Sequence, residues 1–138
     1  HRGEVNAVAL DPAGGRVATA STDGTARVYD ARTGATLVSM EGESGALIAA
    51  AFSPDGARLA TAGSDGTARV WNPATGARTA VLEGHTGGIR GLAFAPTGDR
   101  VVTAGGDHTA RVWDAATGAG RGVMRGPSGP VSAASFEP

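Results

Sequence analysis

The sequence predicts an all-β chain in which one four-stranded antiparallel unit is repeated in tandem. Three observations carry that reading. The 138 residues match themselves at an offset of 42 with no insertion or deletion. Within each repeat, short apolar segments alternate with turn signals. No window keeps a helical apolar period for three turns. Under the offset, His1 falls on Glu43, His85 and Pro127, and Val5 falls on Leu47, Ile89 and Val131. Pro12 falls on Pro54, Pro96 and Pro138, Asp23 on Asp65 and Asp107, and Tyr29 on Trp71 and Trp113. Of the 42 columns, 16 are identical in all three complete repeats, which chance does not produce. The repeats run 1–42, 43–84 and 85–126, and 127–138 begins another.

The elements follow in order. The first strand is Val5–Leu10, Leu47–Phe52 or Ile89–Phe94, ended by DPAGG, SPDG or APTG. Pro lacks a ladder donor and Gly permits positive φ, so these endings are turns. The second strand covers 16–20, 58–62 or 100–104. Asp23-Gly24, Asp65-Gly66 and Asp107-His108 then mark a hairpin, and the Asp-Gly pairs suggest a type I′ turn. His108 stands where the other repeats have Gly, and His is among the few residues that tolerate positive φ. The third strand is TARVYD, TARVWN or TARVWD, and Thr-Gly at 33–34, 75–76 and 117–118 turns the chain again. A weaker fourth strand lies near 37–40, 79–82 and 121–124. A last first strand is expected at 131–136.

Sheets of this kind are apolar on both faces, so they must stack on copies of themselves. Radial stacking of four-stranded sheets is a propeller. The fold class expected is therefore a partial β-propeller: three four-stranded antiparallel blades plus the first strand of a fourth.

Composition narrows the function classes. Hydrophobic residues make up 41% but aromatics only 4%, so Ala, Val and Leu fill the core. The 23 glycines recur at fixed places, unlike those of a flexible linker. A net charge of −1 gives no general attraction to nucleic acid or to an anionic membrane, and neither is expected as a partner. The chain has no Cys, so disulfides and thiolate chemistry are excluded. No apolar run approaches the length of a membrane span, and no signal peptide is visible. All 12 basic residues are Arg, which with the abundant Ala and Gly suggests a GC-rich bacterial source; a cytoplasmic location is the expectation.

The residues also carry a resemblance. His opens the first and third repeats, a DGTARVW core follows in the second, and Trp113-Asp114 closes the last third strand. Over essentially its whole length the chain resembles the WD-repeat β-propeller family, with Trp71-Asn72 and Tyr29-Asp30 as variants of the closing dipeptide. The resemblance implies a structural hydrogen-bond network in each blade: His85, Thr103, Asp107 and Trp113 in the third, and His1, Thr19, Asp23 and Tyr29 in the first. The second has Thr61, Asp65 and Trp71, with Glu43 in place of His, so its network is expected to be incomplete.

A Thr–His–Asp set also invites a reading as a nucleophilic triad. The set recurs in phase with every blade, as an active site rarely does, so no catalytic residue is assigned. His1, His85 and His108 do not converge, so no metal site and no cofactor are expected. Arg27, Arg69 and Arg111 form an in-phase basic series, read as stems packed between blades with heads reaching water or a nearby acid. No phosphate-binding loop is present. The resemblance implies a partner-binding rim where the opening loops and the second-to-third-strand hairpins emerge, with Arg2, Glu4, Thr22, Ser44, Ser64 and Thr86 on it. The function expected is a non-catalytic scaffold for a protein or peptide partner, built from part of a longer propeller. Further WD blades would come from a parent chain or from self-association. The alternative is the sensor or regulatory propeller of a larger bacterial kinase, protease or nucleotide-binding ATPase.

Overall fold

Alternation along each strand decides which residues face which neighbour, because successive side chains point to opposite sides of a sheet. The structure, a computed structural model, describes residues 1–41, 45–126, 129–131 and 133–137. Twelve strands form three sheets. The first blade holds β1 (Val5–Leu10), β2 (Arg16–Ser21), β3 (Ala26–Asp30) and β4 (Thr36–Met40). The second holds β5 (Leu47–Phe52), β6 (Leu59–Gly63), β7 (Ala68–Trp71) and β8 (Arg78–Leu82). The third holds β9 (Ile89–Phe94), β10 (Arg100–Gly105), β11 (Thr109–Asp114) and β12 (Gly120–Arg125). In every blade the strands lie in chain order and pair antiparallel. The described residues contain no helix, so none is long and apolar enough to cross a membrane.

The first strands of successive blades, β1, β5 and β9, pack close to one another. They mark the hub, and the fourth strands lie outward, as radial stacking requires.

The register gives each blade two unlike faces. Ala18 pairs with Val28, Ala20 with Ala26, and Ala26 with Met40, so these share one face. That face is made of small residues, and it packs against Leu47, Phe52, Leu59 and Trp71 of the second blade. The second interface repeats the scheme: Ala62, Ala68, Val70, Ala80 and Leu82 meet Ile89, Val101 and Trp113. The hydrophobic core is thus two layers between blades. A shallow alanine surface admits a large indole, which lets an aromatic-poor chain fill its core. Cutting either Trp to Ala would cost about 3–5 kcal/mol.

A column of arginines ties the layers together. Arg16 Nη2 donates to the Gly56 carbonyl of the next blade at 2.8 Å, and Arg58 Nη1 donates to Gly98 at 3.2 Å. Arg16 also pairs with Asp11 at 2.9 Å within its own blade.

Two expectations need amendment. The hairpin after the second strand is not a type I′ turn. Gly24 and Gly66 have positive φ, as does His108 at 68°, but the preceding Asp residues do not. Instead the Gly24 amide donates to Ser21 and the Ser21 amide donates to Thr25. That is a turn followed by one left-handed residue, the three-residue hairpin alternative. At the C-terminal end, the Val131 amide donates to the Gly105 carbonyl at 3.0 Å, so a fourth blade starts beside β10. The other described residues of 129–137 form no ladder.

Candidate functional site

The in-phase polar residues meet at one edge of each blade, where the opening loop lies against the β2–β3, β6–β7 or β10–β11 hairpin. Backbone bonds stitch the two together in the same way each time. The Thr22 amide donates to Glu4, that of Ser64 to Ala46, and that of Gly106 to Gly88, at 2.8–2.9 Å. The turn aspartate adds a second stitch: Asp23 accepts the Arg2 amide at 2.6 Å and Asp107 accepts the Thr86 amide at 3.1 Å.

Beneath this edge in the third blade lies a continuous hydrogen-bonded chain. His85 Nδ1 is 3.0 Å from both carboxylate oxygens of Asp107, and its Nε2 is 2.7 Å from the Thr103 hydroxyl. Trp113 Nε1 donates to the same hydroxyl at 2.8 Å. An ionised Asp107 can only accept, so Nδ1 carries the proton and Nε2 accepts from Thr103. The Thr109 hydroxyl and amide also donate to Asp107, at 2.7 and 3.1 Å. Burial pushes the Asp107 carboxyl up, yet the donors from Thr109, His85 and Thr86 outweigh it and hold the group well below the usual carboxylate range.

In the first blade His1 bonds Thr19 through Nε2 and Thr25 through Nδ1, the latter at 2.8 Å. Its distance to Asp23 is 3.7 Å, so Thr25 relays the contact by donating to Asp23 at 2.6 Å. The Thr25 hydroxyl, followed by the Arg2 amide, lowers the Asp23 pKa strongly. Tyr29 makes no hydrogen bond to Thr19 among the described residues: its polar atom sits at the far end of the ring, beyond the place where an indole N–H would be. In the second blade Trp71 Nε1 donates to Thr61 at 2.9 Å, and Asp65 accepts from Thr67 and from Arg69. Glu43 and the rim residue Ser44 lie outside the described residues.

Sequence reasoning missed two columns. Thr25, Thr67 and Thr109 belong to the network in all three blades, and Asp30, Asn72 and Asp114 cap the next turn. Asp30 Oδ1 accepts the Arg32 and Thr33 amides, Asn72 accepts from Ala74, and Asp114 accepts from Ala116 and Thr117. The signal was present: Thr is identical at its column in all three repeats.

In the third blade the order Thr–His–Asp looks like a nucleophile, a base and an acid, but it is sealed. The side chain of His85 and the whole of Thr103 are fully buried, so no substrate carbonyl reaches the hydroxyl. Among the described residues no group of acidic or His side chains is placed to hold a metal.

The family model for the WD domain, G-beta repeat, matches residues 1–30, 34–72 and 76–114. The chain belongs to the WD-repeat family. A crystal structure of the computationally designed Ika4 protein is similar at a TM-score of 0.89 and 31% sequence identity, over 100% of this chain and 82% of that one. No curated protein matches the chain. The polar network joins the opening loop to the following hairpin within the WD blade, and the surface above it is the edge where those loops and hairpins emerge. Arg2, Glu4, Thr22, Ser64 and Thr86 all sit at that edge. Between the second and third WD blades it opens into a cavity of about 480 Å³ lined by Ile48, Ser64, Gly88, Arg90 and Gly106. A smaller one, about 380 Å³, lies beside Arg2, Asp23, Thr25, Arg27 and Glu41.

Proposed function

We propose that this chain is a non-catalytic scaffold that binds a protein or peptide partner across its stitched rim. The observation that supports the reading best is the cavity between the second and third blades. Its walls combine an exposed guanidinium, Arg90, with the apolar Ile48 and with bare backbone at Gly88 and Gly106. Arg90 has no ion pair among the described residues, so it is available to an acidic side chain. Glycine backbone lets an extended segment approach closely. The occupant that fits is a peptide carrying an acidic residue beside an apolar one. The His85, Thr103, Asp107 and Trp113 side chains beneath the rim are engaged in the blade's own hydrogen bonds, which leaves recognition to this surface.

A photo-crosslinking residue placed at Ile48 tests this. It is expected to capture a discrete protein from the source cell, and Arg90→Glu is expected to abolish the capture without moving the melting temperature. The same probe at Ala13, on the opposite edge, is the control. Equal capture from both positions, or none from Ile48, overturns the reading.

A further inference from the structure

Arg16, Arg58 and Arg100 hold in-phase positions beside the start of the second strands, and two columns can supply them with a carboxylate. The column just after the first strand reads Asp11, Ser53 and Ala95, and the column closing the third strand reads Asp30, Asn72 and Asp114. Arg58 is the one of the three with a carboxylate in neither column. Arg16 pairs with Asp11 at 2.9 Å. Ser53, in the place of Asp11, is buried and donates its hydroxyl to Asp55 at 2.6 Å. Asp55 is exposed and makes no ion pair with Arg58 among the described residues. The Ser53 hydroxyl and the Ala57 amide hold its carboxyl below the usual carboxylate range, with a smaller pull from the Arg58 charge. Of the Arg58 guanidinium only Nη1 is engaged, donating to the Gly98 carbonyl at 3.2 Å. Its Nε and Nη2 have no hydrogen bond among the described residues.

A cavity opens at the same place. It holds about 220 Å³ between the second and third blades, on the edge opposite the stitched rim, and is lined by Ala57, Arg58, Trp71, Asn72, Thr79 and Ala116. The in-phase columns explain the space. Thr79 stands where the first blade has Leu37 and the third has Arg121, whose guanidinium bonds Asp114 at 2.9 Å. Two of the polar groups in the wall are already committed. The Thr79 hydroxyl donates to the Val70 carbonyl at 3.1 Å, and Asn72 Oδ1 accepts the Ala74 amide at 2.9 Å. What remains for a ligand is the amide N–H of Asn72 and the unpaired N–H groups of Arg58. Both are donors, and one carries a positive charge.

We propose that this cavity binds a small carboxylate, held by Arg58 and Asn72 in the way that Arg16 holds Asp11 in the first blade. Size limits the occupant. A water takes about 30 Å³, so the cavity has room for roughly seven. That admits a small carboxylic acid or the end of one acidic side chain, and excludes an extended segment. Charge selects among anions. One guanidinium among neutral groups balances one negative charge, and the exposed Asp55 nearby opposes a second, so a carboxylate fits better than a phosphate. The two oxygens of a carboxylate also match the parallel N–H groups along a guanidinium edge. The site shares no residue with the rim cavity at Ile48 and Arg90, so it stands apart from the reading of the rim.

Titration of the 138-residue protein with sodium acetate at neutral pH, followed by the side-chain NMR resonances of Asn72 and Arg58, is the test. Sodium chloride and sodium phosphate at matched ionic strength are the controls. Acetate is expected to shift both resonances saturably, with half-saturation on the order of 1–10 mM, and the controls are not. Asn72→Asp gives the second blade the carboxylate that the other two carry in that column, and Thr79→Leu refills the space with the residue type of the first blade. Each is expected to weaken acetate binding at least about tenfold and to leave the backbone amide spectrum that of the folded chain. A five-residue peptide with one central Glu, capped at both ends, distinguishes the sources. Shifts from the peptide mean that the acidic side chain of a partner reaches the site, and shifts from acetate alone mean a free small carboxylate. No saturable shift from either, an equal shift from phosphate, or unweakened acetate binding by folded Asn72→Asp overturns the proposal.

Discussion

Replacing Thr103 by Val isolates the buried network. Valine keeps the shape of threonine and removes only the hydroxyl. That oxygen is fully buried and serves two partners, donating to His85 Nε2 at 2.7 Å and accepting from Trp113 Nε1 at 2.8 Å. Neither partner has an alternative. Nδ1 of His85 must stay protonated for Asp107, and an indole N–H has one direction to point. Each orphaned buried group costs about 1–3 kcal/mol, and the loss of the threonine's own desolvation offsets part of that. The expected loss is about 2–4 kcal/mol. Thr19→Val in the first blade orphans only His1, because Tyr29 does not bond Thr19, so about 1–2 kcal/mol is expected there. Thr103→Ser, which keeps the oxygen, should lose about 1 kcal/mol for the missing methyl. Urea unfolding followed by tryptophan fluorescence at one protein concentration measures all three, with an unchanged slope confirming that stability alone has moved. The reasoning fails if Thr103→Val lies within about 0.5 kcal/mol of the parent, or if Thr19→Val costs as much.

Asp107→Ala removes the acceptor of His85, Thr109 and Thr86 and is expected to cost roughly 1–3 kcal/mol by the same unfolding assay. Acid should unfold the protein progressively. Asp23, Asp107 and Asp114 have lowered pKa values when folded, so the unfolded chain binds more protons as pH falls. Their stabilisation is complete above about pH 5 and is lost as pH drops toward the folded values. Melting temperatures between neutral pH and pH 2 check this, and Asp107→Asn is expected to flatten the curve. His108→Gly releases a non-glycine residue from a φ of 68° and is expected to raise stability by up to about 1 kcal/mol in thermal melts. A loss on that substitution would show that the imidazole has a role beyond the turn.

Much of this architecture was legible because repetition turns weak local signals into strong ones. One DGT triplet is a faint turn signal; two in phase, with a DHT at the third position, fix a hairpin in every blade. The His85–Thr103–Asp107–Trp113 set could be assembled from the family resemblance because its four members keep their spacing from one another. What escaped was chemistry that depends on three-dimensional offset. The type I′ assignment failed because Asp-Gly is shared by two hairpin geometries, and the choice rests on where the Ser21 amide finds its acceptor. Arg16 and Arg58 were visible as an identical column, yet their acceptors are carbonyls 40 residues away in the next blade, which no spacing reveals. The cavity at Ile48 and Arg90 was invisible for a different reason. Those positions vary from repeat to repeat, as a surface free to specialise does, whereas Gly88 and Gly106 read only as loop.

The strand order within each blade bears on how the molecule comes apart. Every strand pairs only with its neighbours in sequence, so each blade closes through short loops before any blade needs another. Short loops cost little entropy to close. A blade can therefore assemble early, and docking between blades supplies the later stability. The second blade is clasped on both faces and each end blade on one. Amide hydrogens in β6 and β7 are thus expected to exchange last, while those of β1 and β12 exchange first through partial openings that leave the centre intact. A blade clasped on one face can loosen and close again without the chain passing through its unfolded state.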